Sequence, residues 1–222
     1  MRPLKVLIAC EMSGVVRSAF TDLGHDAWSC DILDTEIPGQ HHKGDIFELL
    51  DNSTFKWDLM IAHAECTFIC NSGVQWLWAP GQSHLMEKDR RIHPDPKHAT
   101  RHLDQVRAID FFARLWERDE IPHICMENPI PQAIMNRCVG KYHDLIQPWQ
   151  FGEGATKATC LWLKDLPKLV PTDIVPKDRR KALCHKEGPG PMRKINRSRT
   201  YPGIARAWAK QYSEYITERR NG

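Results

Sequence analysis

A cysteine and an acid stand side by side in HAEC, residues 63–66, directly after WDLMIA, an apolar run typical of a buried strand. Cys66 could act as a nucleophile if its pKa were lowered, although the neighbouring Glu65 would raise that pKa. A zinc site is one alternative, with His63, Cys66 and Cys70 as ligands and His84 nearby. Its H-x2-C-x3-C spacing, however, lacks the paired cysteines of common zinc sites. An unreactive structural cysteine is the other.

A second acid ends another predicted strand, in MENP. Glu127 and Asn128 are stopped there by Pro129. A carboxylic acid beside a thiol nucleophile suits an aromatic ring that must be protonated as it is attacked. Glu127 is therefore the second candidate catalytic residue, and an ordinary strand-end acid is the alternative.

Features near the amino terminus indicate a ribose-bearing ligand. ACEMSG reads as a strand, a tight loop and a helix start. Asp31 ends the next strand, where an acid commonly accepts hydrogen bonds from ribose hydroxyls, although a helix-capping or turn Asp would also fit. Asp45, in GDI, could take an adenine amino group or cap the helix that follows. The dinucleotide fingerprint GxGxxG is absent, so the sequence does not indicate a nicotinamide enzyme.

The elements that would hold these residues alternate between strand and helix, which predicts an α/β fold with a mostly parallel sheet covered on both faces. The predicted strands are 4–9, 27–32, 57–63, 123–128 and 158–163, and the predicted helices are 15–23, 44–50, 103–116 and 203–216. In the third helix, Val106, Ile109, Phe112, Ala113 and Trp116 should share the buried face. Residues 35–44 read as turns and 64–102 as irregular.

The composition is that of one ordinary globular domain. The chain has 222 residues, of which 41% are hydrophobic and 27% charged, and eight cysteines that we expect to be free thiols. It has no signal peptide or apolar run long enough for a membrane span, so we expect a cytoplasmic protein with no membrane partner. A long loop excursion covers 78–102. Its histidines could contact phosphate or be solvated: His84, His93, His98 and His102.

The charge is unevenly placed. Net charge is +3, but residues 177–199 hold nine Lys or Arg and two Asp or Glu, so this segment carries +7 and the remainder −4. A basic Pro/Gly-rich segment on an acidic body predicts contact with a polyanion, and a solvated loop is the alternative.

In this order, ACEMSG, Asp31, GDI, HAEC and MENP resemble motifs of the DNA cytosine-5 methyltransferases. The likeness is greatest to small phage and prophage proteins of that group and extends to QPWQFGEGATKATCLWL and RSRTYPGIARAWA. It implies a single methyltransferase domain over 1–222. The implied sheet is the doubly wound, Rossmann-like sheet of S-adenosylmethionine-dependent methyltransferases, with a late antiparallel strand.

The resemblance also implies the roles of the candidate residues. Cys66 would add to C6 of a cytosine flipped out of the duplex, and Glu127 would hydrogen-bond or protonate N3, so that C5 accepts the methyl group. S-adenosylmethionine, or a derivative of it, would be bound by Cys10, Glu11, Met12, Ser13, Gly14, Asp31, Ile32, Asp45, Ile46 and His63. The nucleic acid would be bound by Asn128, Lys157, Arg179, Arg180, Arg197 and Arg199.

Two departures from the family change these expectations. The family's Pro-Pro before the cysteine is Ala64-Glu65 here, so we expect a more mobile loop, an impaired site, or a direct role for Glu65. The interval 164–199 replaces the target-recognition domain of larger members, which predicts low sequence specificity. Lys157 is the expected substitute for a family arginine.

We therefore expect S-adenosylmethionine-dependent modification of cytosine C5 in duplex or single-stranded DNA. The alternatives are modification of a free pyrimidine nucleotide, and a catalytically silent protein that only binds nucleic acid.

Overall fold

The protein is described by a computed structural model that covers residues 2–52, 54–182 and 197–221. Seven strands form one sheet in the order β3-β2-β1-β4-β5-β7-β6. The strands are β1 (Lys5–Ala9), β2 (Asp26–Asp31), β3 (His41–Lys43), β4 (Leu59–Ala62), β5 (His123–Pro129), β6 (Asp144–Ile146) and β7 (Thr159–Lys164). Only β7 is antiparallel to its neighbours in this sheet. The doubly wound, mostly parallel fold with a late antiparallel strand is confirmed.

The central strands are continuous apolar runs because helices cover both of their faces. All four residues of β4, LMIA, are buried, as are four of the five residues of β1. Of the described residues, those that form complete α-helices are α1 (Val15–Thr21), α2 (Ile46–Asn52), α3 (Arg101–Trp116), α4 (Ala133–Cys138) and α5 (Pro202–Asn221). One core cluster joins α1 and α5 to one face of the sheet, and a second joins α2, α3 and α4 to the other.

The structure also corrects several local predictions. Strand β3 lies inside the segment that reads as turns, and α4 and β6 were not predicted, because each spans only three to six residues. In α3, Val106 is 59% exposed, and the buried face is instead Gln105, Ala108, Ile109, Phe112 and Leu115. Residues 64–100 contain three short 3-10 helices and no α-helix.

Candidate active site

The candidate residues follow the carboxyl ends of neighbouring parallel strands. Chain order reverses between β1 and β4, and such a switch point is where open α/β sheets bind ligands. Cys10 follows β1 and His63 follows β4, and the His63 backbone N–H donates to the Ala9 carbonyl at 2.9 Å. Because β7 runs antiparallel, Thr159 pairs with Pro129 at the end of β5, which brings Lys157 to the same edge.

The first loop is built around Glu11, whose side chain points into the protein. Its carboxylate accepts hydrogen bonds from the backbone N–H groups of Val16 at 2.7 Å and Arg17 at 3.2 Å, and from the Ser13 hydroxyl at 2.9 Å. Glu11 therefore satisfies donors that the helix start leaves unpaired. Glu11, Ser13 and Gly14 are buried, whereas Cys10 and Met12 are partly exposed.

Three acids surround the turn at Cys10. Cys10 has a φ of 59°, in the left-handed region, which marks a sharp change of chain direction after β1. Burial raises the pKa of its thiol, and the charges of Asp31, Asp45 and Glu65 raise it further. These acids thus lie within electrostatic range of one point at the end of β1.

The side chains predicted to contact the ribose and the adenine differ in their exposure to solvent. Asp31 accepts the Leu33 backbone N–H at 3.0 Å through one carboxylate oxygen, and Ile32 beside it is 73% exposed. Asp45 caps α2, because one of its oxygens accepts the Phe47 N–H at 2.7 Å. Ile46 is buried, 4% exposed, in the core. Asp45 therefore caps α2 with one carboxylate oxygen, and its second carboxylate oxygen could bind a ligand.

The loop that carries Cys66 is fixed to the start of α4 and to α3 by two buried glutamines. Gln132 donates to the carbonyls of Phe68 and Cys70 at 3.2 and 3.0 Å, and its carbonyl accepts from Gln105 at 2.8 Å. Cys70 also forms a β-bridge with Pro131. These side-chain bonds hold the backbone of residues 68–70, and the sequence offered no local signal for them.

Glu65 organises the start of the same loop. Its carboxylate accepts the Thr67 backbone N–H at 3.0 Å and also the Thr67 hydroxyl. Thr67 in turn is held by Arg101, which donates to its carbonyl at 2.9 Å. Glu65 is exposed, and part of its hydrogen-bonding capacity is used in shaping the turn.

Cys66 and Cys70 form a pair of free thiols one turn apart. The Cys70 backbone N–H donates to the Cys66 carbonyl at 3.1 Å. The neighbouring Cys70 thiol, burial, and the charges of Glu127 and Glu65 raise the pKa of Cys66. The neighbouring Cys66 thiol and the Ser72 hydroxyl, whose oxygen lies 3.0 Å from the Cys70 sulfur, lower the pKa of Cys70 despite burial.

Glu127 lies at the end of β5 beside His63. Its Oε1 is 3.3 Å from His63 Nδ1, and the two side chains are 14% and 8% exposed. Burial favours the neutral acid, but the contact with His63 and the charge of Lys157 outweigh it, so the pKa of Glu127 is lowered. His63 is also packed edge-on against Trp208, with ring centroids 5.8 Å apart.

Asn128 and Lys157 flank this acid. Asn128 is fully buried, its Nδ2 donates to the Pro129 carbonyl at 2.6 Å, and its Oδ1 has no partner among the described residues. The Lys157 ammonium donates to the Arg197 carbonyl at 3.0 Å while remaining close enough to affect Glu127.

The predicted phosphate contacts are mostly engaged within the protein. The Arg180 guanidinium stacks 3.6 Å from the Trp149 ring centroid and donates to the Val175 carbonyl. Arg199 makes a two-point ion pair with Glu36, with Nε 2.9 Å from Oε2. Arg179 is exposed. Residues 183–196 of the basic segment lie outside the described residues.

Three of the four histidines of the 78–102 excursion pack against aromatic rings. His98 lies 4.9 Å from Trp76 and 4.6 Å from His93, measured between ring centroids. His102 packs on Trp78 at 4.7 Å and its Nε2 is 3.0 Å from the Leu77 carbonyl. His84 is exposed.

In the part of the chain that the structure describes, no three His, Cys, Asp or Glu side chains come together as metal ligands would. No described helix has the length and apolarity needed to cross a membrane.

Comparison with known proteins adds little to this geometry. No family model matches the sequence, and no curated protein matches it. One similar solved structure is described as a candidate DNA modification methyltransferase encoded within an E. coli prophage. The two share 13% identity and a TM-score of 0.44, over 78% of this chain and 52% of the other, so this chain spans about half the length of that protein. A likeness this weak carries no argument about this chain.

Proposed function

We propose that this protein transfers a methyl or related group from S-adenosylmethionine to C5 of cytosine in DNA, through a covalent adduct on Cys66 and with low sequence specificity. One observation carries the proposal: Glu127, near the end of β5, lies 3.3 Å from His63, which follows β4 three residues before Cys66 and beside the Cys10 turn that follows β1. This arrangement supports a thiol, an acid and a candidate cofactor loop acting together at one edge of the sheet, as base modification with a bound cofactor requires.

The chemistry of the residues around Cys10 fits S-adenosylmethionine. Asp31 has a carboxylate oxygen left for ribose hydroxyls, Ile32 exposes an apolar side chain to a purine ring, and the surrounding acids favour a sulfonium cation. When bound, this cofactor supplies an electrophilic methyl group.

The residues of the chain would act on the base. Cys66 forms a bond to C6, which pushes electron density toward C5. Because its pKa is lowered, Glu127 is ionised at neutral pH and accepts a hydrogen bond from the base. A proton taken up with the cytosine would then be shared between Glu127 and N3, which neutralises the ring as it is attacked. C5 then bonds to the methyl group, the C5 proton passes to water, and the Cys66 sulfur leaves as the C5–C6 double bond re-forms.

The decisive experiment offers labelled S-adenosylmethionine with cytosine-containing duplex DNA, single-stranded DNA and dCMP in parallel. We expect label in DNA. Label in dCMP alone would replace this proposal with modification of a free nucleotide, and DNA binding without label would replace it with a silent binding protein.

The nucleophile is tested with DNA that contains 5-fluorocytosine, which traps the adduct because C5 carries no proton to lose. We expect a covalent complex with the unaltered protein and none with Cys66→Ser. A complex that survives this substitution would refute the assignment of Cys66.

A further inference from the structure

We propose that Gln132, oriented by Gln105, is a positioning residue for the nucleophile. It fixes the Cys66 loop, residues 66–71, to the segment that follows Glu127, so that the thiol and the acid are held at a set separation before the base arrives. The role in turnover rests on the proposed function. The rigidity of the loop does not, and it can be measured without a substrate.

Gln132 binds three consecutive carbonyls of the Cys66 loop. Its Nε2 donates to the carbonyls of Phe68 and Cys70 at 3.2 and 3.0 Å. Its backbone N–H donates to the Ile69 carbonyl between them at 2.8 Å. Gln132 occupies the N-cap of α4 but gives that helix no side-chain capping bond. Its amide therefore serves the loop instead of its own helix.

The clamped residues in turn hold Cys66. The Cys66 carbonyl accepts the backbone N–H groups of Ile69 and Cys70 at 3.2 and 3.1 Å. These two residues are thus bound on both sides, through their N–H groups by Cys66 and through their carbonyls by Gln132. A supporting shell of this kind is what keeps a reactive side chain in its productive position.

The other side of the clamp is joined to the acid by a short, stiff link. Only four residues separate Glu127 from Gln132, and two of them are prolines, whose φ is fixed. Inside this link, the Ile130 carbonyl accepts the Asn71 N–H at 2.9 Å. The loop that carries the thiol and the strand that carries the acid are therefore connected as one unit.

Gln105, on α3, determines which way the Gln132 amide faces. Its Nε2 donates to Gln132 Oε1 at 2.8 Å and to the Phe68 carbonyl at 3.3 Å. An amide whose oxygen accepts this bond turns its NH2 group toward the loop carbonyls. Gln132 is 5% exposed and Gln105 6% exposed, and an unpaired amide is costly at such burial. The pair therefore has little freedom to turn.

A set separation matters because the thiol and the acid act on one rigid ring. C6, which the Cys66 sulfur attacks, and N3, which Glu127 contacts, lie on opposite sides of the pyrimidine. A misplacement of about 1 Å can cost about 10²-fold in rate. Because the clamp acts on geometry, its loss should slow the attack on C6 and leave the affinity for DNA unchanged.

The test uses Gln132→Met and Gln105→Met, which keep the length of the side chain and remove the amide. Gln211→Met is the matched control. Gln211, on α5, makes bonds of the same kind to another loop, to the N–H and the carbonyl of Val170, both at 2.8 Å. Urea unfolding of each full-length variant confirms that it is folded under the conditions of the assays.

Hydrogen exchange, followed by mass spectrometry, measures the clamp without a substrate. In Gln132→Met we expect the amides of residues 69–71 to exchange about tenfold faster, the order of magnitude for two lost hydrogen bonds. In Gln211→Met they should exchange as in the unaltered protein. Equal exchange in all three proteins would overturn the proposal.

The rate of adduct formation with 5-fluorocytosine DNA measures the role in the reaction. At saturating DNA, Gln132→Met should be about 10²-fold slower, with the DNA concentration for half-maximal rate unchanged, and Gln211→Met should match the unaltered protein. Gln105→Met should slow the reaction less and add little to Gln132→Met in the double variant, because both residues act through one amide. A loss of stability with no change in rate would overturn the positioning role.

The function and the positioning role can fail separately. No adduct with the unaltered protein would remove the function and with it the role in turnover, while faster exchange in Gln132→Met would still establish the clamp. An adduct that Gln132→Met forms as fast as the unaltered protein would remove only the positioning role. If Gln132→Met does not fold, Gln105→Met decides both measurements in the same way.

Discussion

Replacing Gly14 by alanine should lower the free energy of unfolding far more than the same replacement at an ordinary glycine of a tight turn. Gly14 precedes α1 with a φ of 71°. A side chain in this left-handed region costs about 1–2 kcal/mol. The added Cβ would also lie 2.7 Å from Arg17 Nη2 and 3.1 Å from Ile37 Cβ.

The second contribution comes from Arg17, which is buried and cannot move aside freely. Its guanidinium donates to Ser29 Oγ at 2.8 Å and to the Ile37 carbonyl, and so holds the loop after β2. Displacing it leaves a buried polar group unsatisfied, at about 1–3 kcal/mol. The total is a loss of about 2–5 kcal/mol in the free energy of unfolding.

Gly24→Ala provides the matched control. Gly24 has a φ of 82°, but a Cβ there meets nothing within 4 Å. It should cost only the backbone strain, about 1–2 kcal/mol. Urea unfolding of both variants measures the difference, and equal losses would refute the argument that Arg17 makes the Gly14 position intolerant. The gap between the variants therefore reports on the close contacts of the added Cβ with Arg17 and Ile37.

Three further predictions concern the site and its support. Glu127→Gln should lower kcat by about 10²–10⁴-fold, because the amide cannot share a proton with N3. In the unaltered protein, kcat/KM should fall as pH rises, because the cytosine takes up a proton on binding to the ionised Glu127. A pH-rate profile that the substitution leaves unchanged would contradict this role of Glu127. Glu65→Gln keeps an oxygen that can accept the Thr67 N–H but removes a negative charge near Cys66. Cys66 should therefore be alkylated about threefold faster at neutral pH. A slower reaction would indicate that the charge of Glu65 assists ionisation of Cys66. Gly203→Ala places a Cβ 1.8 Å from the Phe151 carbonyl and should lower the free energy of unfolding, measured in urea, by about 1–3 kcal/mol. Gly154→Ala is the control, because the nearest contact of its Cβ is at 3.1 Å. Equal stability of the two variants would refute the packing argument.

Much of the scaffold can be predicted from the sequence because each core element has a strong local signal. The strands β1, β4, β5 and β7 are runs of apolar residues, and their length and the helices between them indicate a parallel sheet. The short elements β3, α4 and β6 escape such reasoning because they contain too few residues to show a period. The misplaced face of α3 has a related cause: Val106 is apolar but exposed, and polar Gln105 is buried because Gln132 accepts its hydrogen bond.

The candidate residues Cys66, Glu127, Asp31 and Cys10 were predicted from their positions at strand ends. Residue type together with a strand end is local information, so the sequence by itself determined which groups reach this edge of the sheet.

Their chemical states were decided only by the tertiary structure. Glu11 reads as a ligand-facing acid but caps α1, and Arg199 reads as a phosphate contact but pairs with Glu36. Cys70, considered from the sequence only as a metal ligand, has its sulfur 3.0 Å from the Ser72 hydroxyl and within electrostatic range of Arg101 in the folded chain. Charge, burial and hydrogen bonding act through space over a few ångströms, and residues such as Cys70 and Arg101, 31 positions apart in the sequence, become neighbours only when the chain folds.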